Sequence, residues 1–414
     1  MKTKTRLTPL EKSWILYDVG NSAFILLVTT LIPIFFNALA GNAGIRDADY
    51  LAYWGYAGSA ATLVVAILGP ICGTLADQRG FKKPFFVLCL AGGCLSCLAL
   101  AAIHSWLAFL MVFVVAKICF NTSLVFYDAM LPEVTTPQRM DRVSSLGYAF
   151  GYIGSVIPFV ACLALVLKAE DIGISATVAM GIAFLITAVW WVVLTLPLLR
   201  TYRQTAYVER TPHPMADTFR QLGKTLRSIR QERRIFLYLL AYFFFIDGVY
   251  TIIDMATAYG AALGLDSTGL LLALLVSQIV AFPFAVLFGR LSSRYNTGSL
   301  MKICIVFYTG ITLYAVFLKA QWQFWLLAVL VGMFQGGIQA LSRSYLGKII
   351  PPERSGEYYG LMDICGKSAS FMGTTLVAVI SQATHSENLG VGSLVLVFII
   401  GFILFCRADK LNRS

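Results

Sequence analysis

Apolar positions along this chain do not alternate with polar ones; they gather into long, nearly unbroken runs. A helix rising about 1.5 Å per residue needs roughly 20 apolar residues to cross a bilayer. Runs of that length fall at 13–38, 50–76, 84–103, 105–128, 143–168 and 174–198, and again at 235–262, 268–290, 300–318, 321–346, 357–383 and 388–406. The pattern predicts an all-α membrane protein with twelve transmembrane helices. Its longest polar interval, 200–234, contains Pro212, Pro214 and an amphipathic basic run from Phe219 to Arg234. That interval reads as a linker between a six-helix bundle at 1–199 and a second at 235–414.

The two halves echo each other. Gly73-Thr74-Leu75-Ala76-Asp77, after the second run, is matched by Gly289-Arg290-Leu291-Ser292-Ser293 after the eighth, 216 positions on. Pro137-Gln138-Arg139 is matched by Pro352-Glu353-Arg354, 215 positions on. Two loops agreeing on nearly one offset point to a duplicated unit and two pseudo-symmetric bundles. Ser293 stands where the first copy has Asp77, so a contact made by that carboxylate is expected from the first half alone.

Polar residues interrupt the runs selectively. The first span carries Tyr17, Asp18, Asn21 and Ser22, and helical spacing sets Trp14, Asp18, Asn21, Ser22, Ile25 and Thr29 on one face. The fourth carries Lys117, Asn121 and Asp128 on one stripe, and the seventh carries Asp247, Tyr250, Thr251 and Asp254. The tenth carries Gln335, Gln339, Ser342 and Arg343. A charge facing lipid at such depth costs roughly 2.5 to 3.5 kcal/mol or more, so these stripes are expected to face protein or water. If each half is built from two inverted three-helix repeats, spans 1, 4, 7 and 10 are equivalent and are expected to line one central cavity. Simpler structural readings stand beside that one. Lys117 could neutralise Asp18 or Asp247 in a buried pair, the glutamines could be interhelical hydrogen-bond donors, and Asp363 with Lys367, at i and i+4 in span 11, reads as an internal salt bridge.

Composition sharpens the picture. Of 414 residues, 58% are hydrophobic and 13% charged, well away from an ordinary soluble domain at about 45 to 50% apolar and 25% charged. The net charge of +11 does not form a nucleic-acid patch, because the basic residues are spread over short loops. With the N-terminus on the cytoplasmic side, 28 of the 32 Lys and Arg fall on that side, as positive-inside topology requires. The Lys-rich start, Met1 to Lys12, is shaped like a signal-peptide n-region, but the run after it is too long and lacks a small-residue cleavage pattern. All nine cysteines lie in or at the ends of apolar runs, so Cys94-Leu95-Ser96-Cys97 reads as packing rather than redox chemistry.

The loop Gly73-Thr74-Leu75-Ala76-Asp77-Gln78-Arg79-Gly80-Phe81-Lys82-Lys83 resembles the signature loop of the major facilitator superfamily. Gly73 allows close helix packing, Gly80 a tight turn, and Asp77 can cap a neighbouring helix N-terminus or pair with a base. Gly73, Asp77, Arg79, Gly80 and Lys82, with Asp128 and Arg343, are the expected gate. A narrower resemblance rests on Trp14, Tyr17, Asp18, Asn21, Ser22 and Phe24, on Phe126-Tyr127-Asp128-Ala129-Met130-Leu131-Pro132-Glu133, and on Gln339-Ala340-Leu341-Ser342-Arg343-Ser344. These stretches resemble the vacuole-effluxer branch, related to autophagy-associated exporters of amino acids from fungal vacuoles. The resemblance implies movement of amino acids or related solutes, and the short loops suggest a bacterial member in the inner membrane with both termini cytoplasmic.

The expectation is therefore a monomeric secondary transporter working by alternating access on a small polar solute, a zwitterion in the first instance. Tyr17, Asp18, Asn21, Lys117, Asn121, Asp247, Tyr250, Asp254, Gln335 and Gln339 are its candidate substrate or coupling residues. A proton is the expected coupling ion, and no cofactor or metal is implied. The chain has no Gly-x-x-x-x-Gly-Lys-Ser/Thr phosphate loop for ATP drive, and neither H-E-x-x-H nor Gly-x-Ser-x-Gly for an enzyme. Lipid or lysolipid translocation, and export of a drug or metal chelate, are the alternatives on the same fold.

Overall fold

The computed structural model describes residues 6–45, 47–228 and 231–413. Lys2 and Lys4 of the basic start, with Arg46 and Arg230, lie outside the described residues. In chain order the helices are α1 (Pro9–Thr29), α2 (Leu31–Asn42), α3 (Asp47–Ala76), α4 (Lys82–Leu100), α5 (Trp106–Ala129), α6 (Leu131–Val134), α7 (Pro137–Leu167) and α8 (Ala176–Thr201). They continue with α9 (Pro214–Ser228), α10 (Arg233–Ala262), α11 (Ser267–Leu291), α12 (Thr297–Val316), α13 (Gln321–Ile349), α14 (Ser355–Thr384), α15 (Glu387–Gly392) and α16 (Leu394–Arg413). Among the described residues twelve stretches are long and apolar enough to cross a membrane, with α1–α2 and α15–α16 each forming one broken span.

Local chemistry fixes where these helices begin and break. Thr8 and Glu11 close a reciprocal capping box on α1, with Pro9 at the first helical position, where its missing N–H costs nothing. Asp266 caps α11 through the Gly269 N–H at 2.6 Å, and Asn296 caps α12 through the Gly298 N–H at 2.8 Å. At the α1–α2 break, Thr30 leaves helical geometry at φ −125° and its hydroxyl turns back to the Leu26 carbonyl. The α3–α4 turn needs Gly80, whose φ of +78° carries a steric cost for any residue with a Cβ.

The buried apolar residues fall into two clusters. One is drawn from α1 to α8 with the loops they bound, including Trp14, Phe24, Phe36, Phe109, Phe113 and Trp191; the other comes mainly from α10 to α16, including Tyr238, Phe245, Tyr308, Phe324, Phe398 and Phe405. The halves meet along two seams, α3 on α14 and α7 on α11 and α13. In the first seam backbones nearly touch: a Cβ on Gly73 would strike the Gly356 carbonyl, and one on Gly360 would lie 2.7 Å from the Gly69 carbonyl. The second repeats the device, for a Cβ on Gly289 would lie 2.9 Å from Ser145 Cβ. Gly73 and Gly289 are the pair matched by the 216-residue echo. Both contacts lie at the end of the bundle that carries the N-terminus, so that end is closed.

Candidate functional site

Between the halves lies a cavity of about 810 Å³. Its walls come from α3 between Trp54 and Ala66, α5 between Lys117 and Asp128, Tyr148 of α7, and Tyr242, Tyr250 and Asp254 of α10. Gln339 and Arg343 of α13, and α14 from Tyr359 to Thr374, complete it. The glycine contacts of α3 with α14 lie below this lining, toward the N-terminal face, so the cavity faces the opposite side.

Of the residues singled out from sequence, the structure brings Lys117, Asn121, Asp128, Tyr250, Asp254, Gln339 and Arg343 to the cavity wall, and adds the Asp363–Lys367 ion pair. Lys117 is half-buried, faces bare Gly58, and has no ion pair within 4.0 Å among the described residues. Asn121 donates its Nδ2 to the Lys117 carbonyl at 2.9 Å, and Gln339 accepts from the Tyr152 hydroxyl at 2.9 Å.

Five candidates lie elsewhere. Tyr17 is fully buried, 2.7 Å from Ser123 Oγ and packed on Tyr127. Asn21 is buried in the first bundle, and Gln335 is buried outside the cavity lining. Asp18 lies beneath the cavity, bound to Arg343 rather than to Lys117. Asp247 is fully buried against α14, where Oδ1 accepts the Gly373 N–H at 2.8 Å. The expectation that span 1 lines the cavity is corrected with them. Stacking of Trp14 on Tyr127, with centroids 4.3 Å apart, and packing between α7 and α8 draw α1 away from it, and α3 and α14 form the wall instead.

The cavity floor is built around Arg343, which is 3% exposed. Its guanidinium reaches Asp128 at 3.0 Å and Asp18 at 3.2 Å, and donates to Ser144 Oγ at 2.9 Å and the Ser144 carbonyl at 3.0 Å. Trp14 and Tyr148 cover it at 4.5 and 4.4 Å from their ring centroids. Asp18 can come so near α7 because residue 147 is glycine: a Cβ there would lie 2.5 Å from Asp18 Oδ2. Every one of these polar partners belongs to the first half, so this one side chain of α13 ties the halves together.

Below the floor two carboxylates lock the seams. Asp77 accepts from the Gly356 N–H at 2.8 Å and the Glu357 N–H at 2.9 Å, capping α14 across the bundle boundary. Burial pushes its carboxyl up to about 7, against Lys82 at 3.6 Å and the two N–H donors, which pull it down. Lys82 is also buried, 2.8 Å from Glu133 and 2.9 Å from Ser355 Oγ. On the other seam Asp141 holds Lys348 at 2.6 Å and accepts from Thr297 and Ser344, each at 2.6 Å. Both locking carboxylates thus come from the first half, as expected, for Asp141 stands on α7 of that half; Ser293 takes no part, its hydroxyl donating to the Arg290 carbonyl. Arg79 and Gly80 are not in the gate contact either. Arg79 is exposed and pairs with Glu209 at 3.7 Å, while the Gly80 N–H donates to Gln204 at 2.8 Å, so both fasten the linker.

Sequence reasoning missed the roles of Asp141, Lys348 and Glu133, and the wall tyrosines Tyr148, Tyr242 and Tyr359. Asp141 near a helix start reads as an ordinary dipole partner, and tyrosines are abundant at every membrane interface. Only the echo of Pro137 with Pro352, which marks α7 and α14 as equivalent, pointed toward the second lock.

Comparison with known proteins bears on the family and the fold. The family described as vacuole effluxer Atg22 like matches residues 9–140 and 133–413. An uncharacterized MFS-type transporter of Bacillus subtilis, YxiO, is 44% identical over 404 residues, spanning 96% of this chain and 94% of that protein. Autophagy-related protein 22-1 of Aspergillus niger is 25% identical over 271 residues, which are 58% of this chain but 42% of the fungal protein. Among solved structures, a bacterial homologue of the iron transporter ferroportin in an outward-facing state superposes with a TM-score of 0.74 at 15% identity, covering 97% of this chain and 99% of that one. The human organic anion transporter MFSD10 gives 0.72 at 16% identity, covering 96% and 98%. At such identities the two structures speak for the fold alone.

Proposed function

The chain belongs to the vacuole effluxer Atg22-like family of major facilitator transporters, and from that premise we propose that it moves a small zwitterion by proton-coupled alternating access. The side bearing the N-terminus is cytoplasmic on this reading, supported by the Lys and Arg distribution, and the membrane is the bacterial inner membrane. The structure then corresponds to the state open to the outside.

One observation carries the substrate class. The cavity wall presents Lys117, a cation without an ion pair within 4.0 Å among the described residues, together with the carboxylate of Asp254 and those of Asp128 and Asp363, which are paired with Arg343 and Lys367. A solute bearing one carboxylate and one amine would supply Lys117 with an anion and meet an acid with its cation, without leaving a net charge in the cavity. The resemblance to the vacuole-effluxer branch, which implies amino acids or related solutes, supports such a substrate.

The test is counterflow in proteoliposomes across a panel of amino acids, short peptides, lysolipids and metal chelates. Amino-acid counterflow in the parent is expected, and Lys117→Ala should weaken carboxylate-bearing solutes by at least about tenfold, the loss of one charge-assisted contact of about 1.5 to 3 kcal/mol. Unchanged affinity with lowered thermal stability would make Lys117 structural. Counterflow confined to lysolipids would replace the zwitterion with a lipid.

A further inference from the structure

The linker helix α9 has a face that neither bundle uses. Thr218 and Thr225 are buried, Leu222 packs on the second-half core, and Thr225 Oγ1 accepts from Arg354 Nη2 at 2.5 Å. Beside that buried edge Met215 and Phe219, one turn apart, are 52% and 53% exposed. Arg220, Lys224 and Arg227 are exposed on the arc beyond them. Arg220 is held by Asp217 at 3.1 Å, so Lys224 and Arg227 carry the surplus positive charge.

Position decides what such a helix meets. α9 packs against α3 and bonds to Arg354 just before α14, at the closed end of the molecule where both spans leave the hydrocarbon. A helix with an apolar stripe and a basic face at that level has the form of one lying in the plane of a leaflet. We propose that α9 docks on the membrane surface, seating Met215 and Phe219 at the acyl boundary and holding anionic phospholipid headgroups with Lys224 and Arg227. The charge of the headgroup complements the basic arc, and lipid is the one apolar phase at that level. Arg354 also binds Glu357 at 2.8 Å, whose N–H is capped by Asp77, so a docked α9 is tied to the same helix start that the Asp77 lock holds.

The experiment uses the full chain, in a cysteine-free background, with an environment-sensitive fluorophore on Phe219→Cys, on Met215→Cys, or on Lys224→Cys. Each is placed in nanodiscs of phosphatidylcholine alone or with about 30% phosphatidylglycerol, and quenched by lipids with a nitroxide high on the acyl chain. The expected result is a blue-shifted, quenched probe at 215 and 219 and a weakly quenched one at 224. Quenching at 219 should rise at least about twofold with the anionic lipid and lose that gain in Lys224→Gln/Arg227→Gln or in high salt. Probes at 215 and 219 that stay unquenched in both lipids would overturn the proposal, since the stripe then faces water or protein. Equal quenching in neutral and anionic discs, unaffected by the double variant, would overturn the headgroup site.

Discussion

Replacing Arg343 by methionine tests whether the floor holds the two halves together. The substitution keeps an unbranched apolar stem and removes the guanidinium, leaving Asp18, which is 7% exposed, without its cation. Removing one partner of a buried pair costs about 3 to 5 kcal/mol, and the lost stacking on Trp14 and Tyr148 adds roughly 0.5 to 2 kcal/mol each. The penalty falls on the closed floor, because an opened floor lets water reach Asp18. If only about 2 kcal/mol of it discriminates between the two states, the equilibrium moves about 30-fold toward opening at the N-terminal face. Ser145, buried on the α7–α11 seam against Gly289, is a reporter of that opening. In a cysteine-free background, Ser145→Cys should react with an impermeant maleimide added from the N-terminal side about 30-fold faster when Arg343→Met is present. Adding Asp18→Asn should recover part of the difference, since a neutral amide tolerates the loss of the guanidinium better than a carboxylate does. An unchanged reaction rate together with a lowered melting temperature would refute the reasoning, for Arg343 would then stabilise the fold without favouring one facing state.

Asp77→Ala leaves the Gly356 and Glu357 N–H groups buried without acceptors, at about 1 to 3 kcal/mol each; faster Ser145→Cys labelling is expected, and an unaltered rate would remove Asp77 from the gate. Lys348→Met should act alike through the other seam by stranding Asp141, and adding Asp141→Asn should reverse most of the effect, which a merely bulky disturbance would not allow. Asp247→Asn keeps a carbonyl oxygen for the Gly373 N–H, so the protein should fold; proton-gradient-driven uptake should fail while counterflow persists, and intact driven uptake would exclude Asp247 from coupling.

How much of this was legible in the chain varies from residue to residue. The bilayer forces each span to satisfy its own backbone, so the twelve runs translate directly into helices, with ends lengthened by caps such as Thr8 and Asp266 that hydropathy does not sense. Charge depth likewise marked α5, α10 and α13 as cavity helices but not α3 or α14, and the echoed pair Gly73 and Gly289 each stand at a close contact between the halves.

Which of the deep charges meets water was decided by the tertiary structure. Asp247 and Asp254 share a stripe of α10, yet the first is sealed against Gly373, where α14 has no side chain to hold it off, and the second opens on the cavity. A buried pair of Lys117 with Asp18 or Asp247 was the structural alternative, but Asp18 is taken by Arg343, 325 residues away in the chain, and Asp247 accepts the Gly373 N–H. Hydrocarbon acts on every residue of a span alike, so the sequence alone determines helices and their depth. Pairing depends on which face of one half closes on the other, and that is settled only in the assembled fold, where glycines such as Gly73, Gly147 and Gly289 let neighbouring elements come close.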